Sequence, residues 1–402
     1  MRTYLNCFIV LLFAAVTTQP VQAQTNNGVP EVLTMAPHSE TSRFWAAGQI
    51  NIIFQTHPGF SAKYSGPNSL RPDYEKATSR VLTLYTGVQL GAKTDLLVDF
   101  ESAGGRGLSD ALGLAGFTNL DVVRNPELGS TPYLARLLIH HSFRLSNEYV
   151  ETERGPLSLA RRQPARRIEV WAGKLSTVDF FDTNSVPSDS HLQFTNWTVD
   201  NNGAYDYAAD TRGYTYGVVM AYQDNIFAVR FGELLMPQVA NGIDIEFNLR
   251  RAHSEDVEVE VRGNTFGKRK GVVRVLGYGN HANMGVYREA VADFLTGKQP
   301  VPDITAHPHW TRLKYGIGLN VEQEITPNTT AFGRLGWNNG KTESFAYTEV
   351  DRTVEVGARQ EGPDGTDLMI ARVLRRCRTD CRRITVDTWH SEDVASCSAM
   401  AL

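Results

Sequence analysis

Residues 93–101, KTDLLVDFE, alternate strictly between unlike side chains. Lys93, Asp95, Asp99 and Glu101 share one face, interrupted only by Leu97, while Thr94, Leu96, Val98 and Phe100 share the other. Successive side chains of a strand point to opposite faces, so a period of two specifies β-structure with two different surfaces. Residues 313–324 repeat the pattern. Leu313, Tyr315, Ile317, Leu319 and Val321 point one way, and Lys314, Gly316, Gly318, Asn320, Glu322 and Glu324 the other. In 227–233, Phe227, Val229 and Phe231 oppose Ala228, Arg230 and Gly232. Eleven further segments read as strands: 44–55, 79–90, 133–143, 167–175, 192–199, 213–222, 243–250, 256–262, 271–279, 329–337 and 345–358. This predicts an all-β, antiparallel chain of about 14 strands. Turn signals fall at Asn201-Asn202-Gly203, Asp224-Asn225, Asn241-Gly242 and Asn338-Asn339-Gly340, the last expected to close a hairpin. Residues 109–114 suit a short helix, and residues 283–296 a longer one inside a connection.

The N-terminus adds an address. Arg2 precedes a ten-residue apolar run, Cys7–Val16, and Val21-Gln22-Ala23 supplies a cleavage triplet. Residues 1–23 therefore read as a signal peptide, and 24–40 as a lead segment. No later apolar stretch reaches the 18 residues of a membrane helix. The cysteines are Cys7, Cys377, Cys381 and Cys397, which leaves the body free of thiols, as suits an oxidising compartment. A net charge of -4 argues against nucleic acid as a partner. An exported chain of amphipathic strands folds as a secreted sandwich or propeller, or as an outer-membrane barrel. A propeller would show a blade repeat, and none is visible. A barrel puts apolar residues outward against lipid and polar residues inward. Both leave one polar face, so alternation alone does not choose. Glycines on the strands, together with aromatics such as Trp45, Phe100, Trp171 and Trp337 near strand ends, favour the barrel and its interface girdles.

Longer blocks carry a family likeness. GLSDALGLAGFTNLDVVRNP (107–126), RIEVWAGKLSTVDFFDTN (167–184), LQFTNWTVDNNGAYDYAAD (192–210), GVVRVLGYGNHANMGVYREAV (271–291) and the stretch 314–358 are in order along the chain. They resemble the carbohydrate-selective porins, the outer-membrane sugar porins of Gram-negative bacteria, over residues 40–359. The resemblance implies a transmembrane antiparallel β-barrel of the 16-stranded type at 41–360, located in the cell outer membrane. It further implies inward loops that narrow a solute path, passive sugar uptake, no enzymatic activity and no cofactor. Its partners are then monosaccharides or small oligosaccharides, with outer-membrane lipid and lipopolysaccharide outside. A homo-oligomer is left open. A channel of other selectivity, or a non-conducting structural barrel, is the alternative.

Parity nominates Lys93, Asp95, Asp99, Glu101, Arg230, Lys314, Glu322 and Arg334 as pore-lining. Arg106 and Asp110, in the loop after the third strand, are expected either at the constriction or in salt bridges that fix the loop. No catalytic constellation stands out, and no metal is assigned. His140-His141 point to opposite faces, His307 and His309 flank Pro308, and Cys377-x3-Cys381 fits zinc only loosely, with His390 and Cys397 as its only nearby further candidates. The family pattern stops near residue 360. Residues 361–402 carry six Arg between 372 and 383 and three of the four cysteines. This tail is expected to come from a frame shift or a wrongly joined end that replaces two or more strands, and to impair assembly, because an open sheet edge in lipid leaves backbone groups unpaired.

Overall fold

In the computed structural model, the described residues are 41–376, except 67–68, 112–118, 120–127, 190, 192, 195–198, 264–268, 347–348 and 363–366. The expected signal peptide and lead segment, Cys377, Cys381 and Cys397 lie outside them.

The strands are β1 (Phe44–His57), β2 (Glu75–Gly91), β3 (Thr94–Gly105), β4 (Tyr133–Arg144), β5 (Tyr149–Glu151), β6 (Arg162–Pro164), β7 (Arg167–Leu175), β8 (Thr215–Gln223), β9 (Phe227–Leu235), β10 (His253–Gly263), β11 (Gly271–Met284), β12 (His309–Thr326), β13 (Thr329–Asn338), β14 (Arg352–Glu361) and β15 (Asp367–Arg376). Thirteen form one sheet in order of sequence, and β5 with β6 makes a separate hairpin. Each neighbouring pair in the large sheet is antiparallel. Next-neighbour order with antiparallel pairing is the wall of a large up-and-down β-barrel of the porin type.

The wall is inside-out relative to a soluble protein. On β10, Val257, Val259 and Val261 are exposed, whereas Ser254, Asp256, Glu258 and Glu260 are at most 2% exposed. On β12, Leu313, Tyr315 and Ile317 face out while Lys314, Asn320 and Glu322 are buried. Only lipid on the outside makes this arrangement favourable. An apolar outer band in hydrocarbon and a polar, self-bonded interior satisfy both surfaces.

Long connections fold into the lumen and bring apolar side chains with them. Leu97, the break in the charged face of β3, is fully buried beside Leu138, Leu159 and Trp171. Trp45 and Trp171 belong to this lumen cluster and not to an interface girdle, whereas Phe100 and Trp337 do face outward. The same demand explains two departures from the expected strands, at 192–199 and ahead of β14, whereas Ile243, Phe247 and Leu249 of the third, 243–250, stay exposed. In 192–199, the described residues 193, 194 and 199 lie outside any strand, and Phe194 and Val199 pack with Val186 and Phe332. Residues 243–250 form an extended loop whose amide bonds are local, with Gln238 N–H donating to Asp244 O at 2.9 Å and Glu246 N–H to Met236 O at 3.0 Å. The connection after Asn338-Asn339-Gly340 runs to Asp351 and turns Phe345 inward, so β14 starts at Arg352 and the hairpin is not tight. Asp224, by contrast, closes the β8–β9 turn by accepting from Ile226 and Phe227 N–H at 2.7 and 2.8 Å. The only α-helix among the described residues, Tyr287–Leu295, sits in the β11–β12 connection as expected; of the short helix expected at 109–114, residues 112–114 lie outside the described residues, and 108–111 form a 3-10 turn in which Ser109 and Asp110 take positive φ. The segment after residue 360 contributes β15, paired with β14 from Glu361↔Asp367 to Arg352↔Arg376.

Val259 tests the orientation of the wall. Val259→Arg is expected to destabilise the barrel in lipid vesicles by about 2–4 kcal/mol, the cost of an outward cation near mid-membrane. Reversible urea unfolding measures it, and a neutral effect would mean that this face meets water.

Candidate pore and its constriction

Two ladders of charge run around the inner wall. On β9–β12, Arg230 reaches Glu258 at 2.8 Å and Glu260 at 3.0 Å. Arg274 on the next strand spans Glu260 at 2.7 Å and Glu322 at 2.6 Å. On β3–β4, Arg136 pairs with Asp99 at 3.1 Å and reaches inward to Asp179 at 2.8 Å. Alternating signs let each buried charge meet its opposite, which is the condition for keeping it in a confined lumen.

The long segment between β7 and β8, residues 176–214, is seated on the first ladder. Asp182 N–H donates to Glu258 at 2.7 Å, and Asn184 Nδ2 donates to Asn320 at 2.7 Å. Ser185 N–H donates to Glu322 at 3.0 Å, and its hydroxyl bonds the same carboxylate. Tyr205 OH donates to Asp256 at 3.0 Å. Arg334 ties β13 to the segment. It pairs with Asp182 at 3.2 Å and donates to the carbonyls of Val199 at 2.7 Å and Asp200 at 2.8 Å. Lys314 pairs with Asp206 at 3.3 Å, and Asp206 in turn accepts from the N–H groups of Phe345 and Ala346 at 2.9–3.0 Å. The β13–β14 connection is thereby held against the first inward segment. Glycines on the wall make the seat: a Cβ on Gly336 would lie 1.9 Å from Asn202 Oδ1. Asn202 uses that space to donate to Leu335 O at 2.8 Å.

With the β10–β13 side filled, open space remains opposite. A cavity of about 220 Å³ lies between β1–β4 and the inward segment. Gln49, Tyr85, Glu101 and Arg136 line it from the wall, and Asp179, Asp189, His191, Asp200, Asp210 and Arg212 from the segment, with Tyr207 and Tyr214 beside them. Glu101 accepts from Thr83 Oγ1 at 3.0 Å and from Tyr214 OH at 3.2 Å, and it also bonds Tyr133 OH. Asp210 accepts from Arg212 and Tyr214 N–H at 2.8 and 3.1 Å. Burial raises the Asp210 carboxyl above its ordinary range against those bonds and against nearby Lys174.

Of the sequence-nominated residues, Glu101 alone lines this cavity, with Asp99 one contact behind it through Arg136. Arg230, Glu322, Arg334 and Lys314 anchor the inward segment or extend its ladder. Asp95 is buried lower on β3, where it meets His140 at 3.1 Å and accepts from Leu159 N–H at 3.0 Å. Lys93 is exposed in the β2–β3 turn, off the lumen face, and Arg106 is exposed after β3. Asp110 pairs with Arg71, which also reaches Glu75 at 3.1 Å, and so joins the loop after β3 to the β1–β2 connection. Sequence reading missed Asp256, Glu258 and Glu260, although D-V-E-V-E-V carries the same period of two. It also missed Arg136, Asp182 and Asp206, whose roles depend on which loop lies opposite.

An antiparallel wall with a polar lumen, an apolar exterior and an inward constriction defines an outer-membrane channel. The family model "Carbohydrate-selective porin, OprB family" matches residues 68–364. The chain belongs to that family, and is a β-barrel channel of the Gram-negative outer membrane and not an enzyme. Among solved structures, OprB of Pseudomonas putida, at high pH, is 16% identical over 82% of this chain and 75% of that one, with a TM-score of 0.57. Salmonella typhi OmpF, in complex with daunomycin, is 9% identical over 83% of this chain and 91% of that one, with a TM-score of 0.38. No curated protein matches the chain.

Arg334→Met should unseat the inward segment, since it takes the guanidinium from Asp182, at 3.2 Å, and from Glu355 on β14, at 3.5 Å. Losing one partner of a buried ion pair costs about 3–5 kcal/mol. Planar-bilayer recording is expected to show larger single-channel conductance and noisier open states in the folded variant. Conductance identical to wild type would contradict the anchoring role.

Proposed function

We propose that this channel passes monosaccharides or small oligosaccharides passively and in preference to other solutes of their size, through the cavity between β1–β4 and the inward segment. The observation that carries the reading is the lining itself. Gln49, Glu101, Arg136, Asp210 and Arg212 supply donors and acceptors for hydroxyls. Tyr85, Tyr207 and Tyr214 supply flat apolar surface for ring edges. Such walls replace part of a neutral sugar's hydration, and weak contacts let it leave. Acidic and basic groups are both present, so a neutral polyol meets partners of either sign while a bare ion meets opposition from one of them. Outer-membrane lipid covers the exterior. Family membership supports a channel for sugars but leaves the preferred solute to the cavity.

A non-conducting structural barrel is the second reading, favoured by how completely the segment fills the β10–β13 side. Liposome swelling separates the two. Hexoses are expected to enter faster than amino acids of similar size, and Arg212→Ala to bring the two rates together. Equal rates in the wild type would remove carbohydrate selectivity, and no swelling by a folded barrel would favour the structural reading.

A further inference from the structure

The outward face of β10 changes character at one end. Its outward positions run His253, Glu255, Val257, Val259 and Val261, so two ligating groups precede three valines. The register places His281 of β11 directly opposite His253. Both lie near the β9–β10 and β11–β12 connections, at one end of the wall, with outward Leu313 of β12 opposite His281. In sequence the two histidines stand far apart and neither has ligand spacing; only strand pairing joins them.

Three observations distinguish this cluster from solvated rim residues. The ligating atoms of His253, Glu255 and His281 all lie within 4.8 Å of one another. The two imidazoles are stacked, with centroids 4.7 Å apart and planes 20° apart, so their nitrogens already share one side of the sheet. Nδ1 of His253 is buried and has no hydrogen-bond partner among the described residues. The surroundings leave room for closure. Glu255 is opposite Gly279 on β11, where an added Cβ would find only Leu313, at 3.6 Å. On the other side Glu233 of β9 is opposite Glu255 and offers a further carboxylate.

We propose that His253, Glu255 and His281 form a site for a divalent transition-metal ion, with Zn²⁺ the best match, on the outer rim of the barrel. Two imidazoles and a carboxylate suit zinc, whereas calcium and magnesium take all-oxygen sets. A tetrahedral ion with Zn–N bonds near 2.0–2.1 Å holds its donors about 3.3 Å apart, which side-chain rotation reaches from the present separation. Water or Glu233 completes the coordination. The bound ion links β10 to β11 at this end of the wall.

The test is calorimetric titration of ZnCl₂ into the full, untagged chain, folded in detergent and stripped by chelator. One equivalent is expected to bind, without displacement by excess Mg²⁺. His253→Asn and His281→Asn should each weaken binding by about tenfold or more, since even supporting groups around metals matter at that scale. His307→Asn, a histidine paired with Asp293 at 2.7 Å elsewhere, should leave it unchanged. Heat-modifiable mobility on gels verifies folding, and exposed Glu255→Gln serves if a histidine variant does not fold. Absent binding by the folded wild type, or equal affinity in the three site variants, would overturn the proposal.

Discussion

Inside hydrocarbon a peptide group has no water to bond, so every strand must find its partners in a neighbouring strand. That constraint explains the antiparallel order of the wall, and it also sets the chemistry of both faces. Once the backbone is satisfied laterally, side chains alternate between lipid and lumen. Val257, Val259 and Val261 take the first environment; Asp256, Glu258 and Glu260 take the second. A lumen lined this way is dense in charge, and charges that meet neither bulk water nor each other are costly. The pairing of Arg230, Glu260, Arg274 and Glu322 into one ladder answers that requirement.

The ladder also gives the inward segment something to hold. Backbone N–H groups of Asp182 and Ser185 bond Glu258 and Glu322, while Arg334 collects carbonyls from the far end of the segment. Wall and constriction are therefore one electrostatic structure. The pathway lies where the segment is not seated, and its lining draws on both partners: Glu101 and Arg136 from strands, Asp210 and Arg212 from the segment.

Much of the wall was legible in the sequence because lipid imposes a strict period. Strands β3, β9 and β12 follow the parity read from their residues, including Arg230, Lys314 and Glu322 turned inward. The period misled where a loop buried its own apolar residues. Phe194 and Val199 alternate like a strand but pack on Phe332 inside the barrel. Phe345 was read into a strand because its burial against the inward segment leaves no local signature. Leu97 looked like an error in the charged face until Leu159 arrived from the connection after β4. β15 was obscured by the arginines around it. The site was less legible than the wall. Arg136 acquires its role from Asp99 and Asp179, 37 and 43 residues away, and Asp182 from Arg334, 152 residues away, and no local pattern announces them.

The most direct test places single cysteines at residues 256 to 261 of β10, in a chain without its native cysteines, and labels each with a fluorophore in lipid vesicles. A quencher dissolved in the bilayer should quench labels at 257, 259 and 261 and spare those at 256, 258 and 260. Uniform quenching, or the reverse alternation, would contradict an inside-out wall.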